Sequence, residues 1–145
     1  MNLQDFIRDI HLNQIKQNSI VICNFSDEVK NKLQSLNLQS SDEIYLSVKR
    51  YKHITRDLKK HRNKAVNDEI IHNFKRFIVF SQGIYFDTLP KHKNILFINH
   101  YKGILFKIVV NLDGEIKTAG IIEESNLKDS YLIIIKQWRR ESNPL

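Results

Sequence analysis

The chain has 145 residues, 41% of them hydrophobic and 27% charged, a balance that fits one folded domain and excludes general disorder. No apolar run approaches the roughly 20 residues of a membrane helix, and the start, Met1 to Phe6, lacks the basic and apolar stretches of a signal peptide, so cytoplasmic synthesis is expected. The net charge of +7 is localised: residues 49–76 hold ten Lys or Arg against three acids, a surplus equal to that of the whole chain. Such a cluster suits phosphates, or is a solvated lysine-rich helix face.

In chain order, Leu3, Phe6, Ile7 and Ile10 recur at helical spacing and predict a first helix. Ile20–Cys23 reads as a short strand. Its Cys23, the one cysteine, reads as a small buried side chain. Ser26 is placed to cap a second helix, with Asp27 and Glu28 in the first turn and Val29, Leu33 and Leu36 as its buried stripe. Ile44-Tyr45-Leu46 is a short extended piece, and Ser47 can cap the basic helix behind it. On that helix Tyr51, Ile54, Leu58 and Ala65 share one face, and His61 falls at the edge of it, about 50° from its centre. A further helix is expected from about Asp68 to Phe80, with Ile70, Ile71, Phe74, Phe77 and Ile78 inward and His72 outward.

After Gly83 the apolar period changes to two. Ile84–Phe86, Ile95–Asn99, Ile104–Val110, Ile116–Ile122 and Tyr131–Ile135 are strand candidates, with Asp113-Gly114 as a hairpin signal. Short connections require antiparallel neighbours. The expected fold is α+β, with N-terminal helices packed on a C-terminal antiparallel sheet of about four strands.

Four glycines, none in a phosphate-cradling loop, make ATP, GTP and NAD chemistry unlikely, and no cofactor is expected. None of the six histidines has a metal-ligand spacing, so no metal site is expected either. What remains is acid–base work by histidine beside cations. RNA cleavage fits that chemistry because the 2′-hydroxyl is the nucleophile and no metal is needed. His61, close in sequence to Arg56, Lys60 and Arg62, is the first choice, and a boundary histidine without chemistry is the alternative. His53 stands four residues from Asp57, which orients it or forms an ordinary surface pair.

On the sheet, alternation sets Lys107 between Leu105 and Val109, opposite in sense to Phe106 and Ile108. A lysine there needs water or an anion. In the next strand Ile116, Thr118, Gly120 and Ile122 alternate with Lys117, Ala119 and Ile121. Lys107 and Thr118 are then candidates to line a cleft as phosphate binder and hydroxyl donor, or are a snorkelling lysine and a β-branched filler. Trp138-Arg139-Arg140 offers stacking and pairing to a nucleotide, or closes the core edge.

Ile44-Tyr45-Leu46-Ser47, Lys52-His53, Lys60-His61 and the β-meander with Lys107 and Thr118 resemble the barnase–EndoU–colicin–RelE ribonuclease group. The likeness is greatest to its phage and mobile-element branch. It covers about residues 42–138 and leaves 1–41 as an extension or an extra layer. It implies a toxin-like, metal-independent endoribonuclease, with roles falling on His61 or His53, Lys107, Thr118 and Arg139. RNA contacts would come from Arg56, Lys59, Lys60, Arg62, Lys64 and Trp138, with a cognate inhibitor as partner. The alternatives are a nucleic-acid-binding protein without catalysis, and an accessory or inhibitor protein of a mobile element. A fold likeness does not establish function.

Overall fold

The computed structural model describes residues 1–56, 65–87, 93–126 and 131–136. Helix α1 (Leu3–His11) is opened by Asn2, whose side chain accepts from the Asp5 amide at 2.8 Å, and it buries Phe6, Ile7 and Ile10. Strand β1 (Ser19–Asn24) follows, then helix α2 (Asp27–Ser35), capped by Ser26 through the Val29 amide. Val29 and Leu33 are buried as expected. Leu36 is not, because the helix stops at Ser35 and Leu36 becomes its C-cap, 36% exposed. Strand β2 (Glu43–Ser47) pairs antiparallel with β1, from Ser19 opposite Ser47 to Asn24 opposite Glu43.

Ser47 caps helix α3 (Val48–Ile54) through the Arg50 amide, and Tyr51 and Ile54 are buried. This helix is shorter than the spacing suggests. Thr55 closes it, its hydroxyl donating to the Tyr51 carbonyl at 3.0 Å, and Ala65 lies in irregular backbone. Leu58 and His61 lie outside the described residues. The helix expected over 68–80 is two, α4 (Asp68–His72) and α5 (Phe74–Val79), divided at Asn73. Asn73 has φ −113° and its side chain donates to the Glu69 carbonyl. Its competing local hydrogen bond interrupts the helix. The five apolar residues of the expected stripe are nonetheless all buried.

Strands β3 (Gly83–Asp87), β4 (Asn94–Tyr101), β5 (Ile104–Asn111) and β6 (Ile116–Ile121) form an antiparallel meander. A fifth strand, β7 (Tyr131–Lys136), returns to pair antiparallel with β3 and gives the order β6-β5-β4-β3-β7. The β4–β5 turn is Lys102-Gly103, both at positive φ, which two-residue hairpins with right-handed twist favour.

One face of this sheet carries the helices and the β1–β2 pair. Phe86, Ile95, Phe97, Phe106, Ile108, Val110, Ile116 and Ala119 join Phe6, Leu33, Leu46, Ile54 and Phe74 in one core. Residues from 1–41 thus contribute to the same core as the meander. A second apolar cluster on the other face holds Tyr85, Leu96, Ile98 and Val109. Strict alternation along β6 fails at one point. A bulge opposite Val109/Val110 lets Ile116 face the main core, as Ala119 does, while Thr118 pairs with Val109 on the second face.

Candidate nucleic-acid interface

Helix α3 begins the basic segment, and its geometry follows from which residues are apolar. Tyr51 and Ile54, three apart, are driven into the core, so Lys49 and Lys52 are turned outward and are exposed, as is Arg56 just past the helix end. Arg50 leans the other way. Half-buried, it pairs with Glu115 at 3.4 Å and so ties α3 to the β5–β6 turn. Further on, Lys75 is exposed and Arg76 half-buried. Lys59, Lys60, His61, Arg62 and Lys64 lie outside the described residues.

His53 is half-buried, and Arg56 Nη1 stands 3.1 Å from its Nδ1. A guanidinium has no acceptor, so Nδ1 accepts and the neutral ring carries its proton on Nε2. In this arrangement the Nδ1 lone pair is taken up by Arg56. His53 does not present the free lone pair a general base needs.

Sequence reasoning missed a second histidine contact. His11, at the end of α1, places Nε2 2.8 Å from the Tyr51 hydroxyl, with the rings edge to face at 5.8 Å. Burial, with Asp68 adding to it, pushes the Tyr51 hydroxyl above the ordinary phenol range. The phenol therefore stays protonated and shares a hydrogen bond with His11. This bond seats α1 on α3, and its partners stand 40 positions apart. No local spacing could have revealed it.

Lys107 and Thr118 do neighbour one another. Lys107 is opposite Gly120 and Thr118 opposite Val109, so the two are diagonal neighbours on adjacent strands, both half-buried. Their face is that of Val109 and Leu96, whereas α3 packs through Tyr51 and Ile54 into the core on the other face. The sheet therefore separates Lys107 and Thr118 from His53. Trp138 and Arg139 lie outside the described residues.

Among the described residues, no three or more of His, Cys, Asp and Glu group so as to hold a metal ion, and no helix is long and apolar enough to cross a membrane. No family model matches the chain, and no curated protein or solved structure matches it.

Proposed function

We propose that the chain binds RNA along its phosphate backbone through the basic segment 49–76. The observation that carries this is the outward set of Lys49 and Lys52, with Arg56 just past the helix end, on a helix anchored from below by Tyr51 and Ile54. An anchored helix holds its cations in a fixed relation, so they meet a phosphate chain without the ordering cost of a loose tail. Lys59, Lys60, Arg62 and Lys64 extend the same run of charge in sequence. The choice of RNA over DNA rests on the ribonuclease resemblance.

A second reading, metal-independent cleavage of the bound RNA, is favoured by the place of His53 among these cations, with Arg56 Nη1 3.1 Å from its Nδ1. In this reading His61 takes the 2′-hydroxyl proton, water protonates the leaving 5′-oxygen, and the cations around His53 stabilise the charge that builds on the phosphate. Lys107 and Thr118 have no part in it, since they face the other side of the sheet from His53. A cognate inhibitor, in this reading, would cover the same cations.

Both readings meet in one experiment. Labelled single-stranded RNA is titrated with the protein in excess chelator, and the products are resolved after long incubation. Lys49→Gln, Lys52→Gln and Arg56→Gln combined should weaken binding by about 10-fold, the sum of three exposed charge contacts. Products ending in 2′,3′-cyclic phosphate would establish cleavage, and intact RNA would confine the function to binding. Binding that the triple variant leaves unchanged would remove the interface from this helix.

A further inference from the structure

The structure holds a groove of about 470 Å³. It lies between the start of α2 and the end of α5. Its floor is apolar: Phe25, Ile44, Ile78, Ile84 and Phe97, each at most 5% exposed. Its rim carries Val79 and Phe80, 52% and 60% exposed, the latter the most exposed large apolar side chain of the described residues. Asp27 and Glu28, both exposed, also line the groove, and among the described residues no Lys, Arg or His does. In a chain of net charge +7, described lining residues with two carboxylates and no cation are a local reversal of sign.

We propose that this groove docks a partner peptide carrying an aromatic side chain flanked by arginine or lysine. The apolar floor and a volume in the usual range for ligand clefts suit one large ring. The exposed Phe80 ring offers its face to a guanidinium, and Asp27 and Glu28 offer carboxylates to the flanking cations. An anionic ligand is disfavoured. The two acids in the first turn of α2 offset the positive end of that helix, which would otherwise attract it. Of the remaining polar side chains, Asn24 is exposed and the others are engaged. Ser26 Oγ accepts from the Val29 amide, Ser81 Oγ donates to the Gly83 carbonyl, and Gln82 bonds both backbone groups of His100. Charge and apolar contact, with the Asn24 amide beside them, are therefore what the groove has to offer. Lys49, Lys52 and Arg56, the cations varied in the RNA test, do not line this groove, so the two proposals are tested separately.

The test uses the full-length protein and a fluorescein-labelled seven-residue peptide with a central tryptophan between an arginine and a lysine. Anisotropy should show saturable binding with a Kd on the order of 10–100 µM. A control peptide with glutamates in place of the two cations should bind at least about 10-fold more weakly. That contrast is diagnostic, because the bulk charge of the protein favours the acidic control. Asp27→Asn with Glu28→Gln should weaken the basic peptide about 5-fold, and Phe80→Ala about 10-fold, with unchanged circular dichroism. Equal affinity for the two peptides would overturn the proposal, as would variants that leave binding unchanged. A peptide-free dimer broken by Phe80→Ala would assign the groove to a second copy, and would overturn it too.

Discussion

Gly114→Ala should be among the most damaging single-methyl changes in the chain. The residue has φ +91°, a region that L side chains rarely adopt, and strain there costs about 1–2 kcal/mol. The second cost is steric. The β5–β6 turn is clamped onto the β2 end of the small ladder, with the Tyr45 amide donating to the Gly114 carbonyl and the Ser41 amide to the Leu112 carbonyl, each at 2.8 Å. A Cβ at position 114 would run into the Glu43 carbonyl oxygen and lie 2.6 Å from Ser41 Oγ. Backbone cannot step aside as a flexible side chain can, and overpacking of this kind costs about 1–3 kcal/mol. Together the two give a loss of about 3 kcal/mol, or roughly 6–12 °C in Tm for a chain of this length. Urea unfolding followed by circular dichroism measures it, with the exposed neighbour Asp113→Ala as a control that should stay within about 0.5 kcal/mol. If Gly114→Ala unfolds within 1 kcal/mol of the parent, the turn is not clamped to β2 and the joining of the two sheets is wrong.

Tyr51→Phe removes the hydroxyl that holds His11 and should cost about 1 kcal/mol in urea unfolding, while RNA affinity stays within about 2-fold. A large loss of affinity would give the His11–Tyr51 pair a role beyond packing. Cys23 is half-buried rather than fully enclosed, yet burial pushes its thiol to about 11 against the ordinary 9.0. Alkylation by iodoacetamide at pH 8 should therefore run at least about 100-fold slower in the folded protein than in urea. Because the unfolded thiol ionises first, folding stability should also fall as pH rises from 9 to 11. Cys23→Ala should remove that contribution, which solvent screening keeps below about 2 kcal/mol. A pH profile unchanged by Cys23→Ala would refute the assignment. Lys107→Gln and Thr118→Val should each leave RNA affinity within about 2-fold, since both face away from α3. A 10-fold loss from either would return the sheet's second face to the site.

The elements most legible in the sequence are those with a local cause. Ser26 and Ser47 sit three residues before the amides they cap, and the apolar stripe Ile70 to Ile78 needs nothing beyond helical spacing. The alternation along β5 and the Asp113-Gly114 signal likewise place a hairpin where one is found. Failures began where a distant partner or a local competitor decided the outcome. Asn73 breaks a run whose apolar period continues through it, and the bulge opposite Val109 shifts Ile116 by one register. The pairing of β7 with β3 skips over three strands. The candidate site shows the same limit. The outward cations of α3 could be read from Tyr51 and Ile54. That Lys107 and Thr118 would stand on the opposite face from His53 depends on which face of the sheet the helices cover. The Arg56 contact that assigns the His53 proton is a matter of side-chain placement, which the spacing of the two residues permits but does not impose.

The salt dependence of RNA binding tests the central claim most directly, because each phosphate contact releases a fraction of a counterion from single-stranded RNA. If about 4–6 cations of segment 49–76 touch phosphates, log affinity against log salt should fall with a slope of about −3 to −4. The Lys49→Gln, Lys52→Gln, Arg56→Gln variant should lose about two units of that slope, three contacts at roughly 0.7 each. A slope near zero, or one the triple variant leaves unchanged, would contradict phosphate binding by this helix.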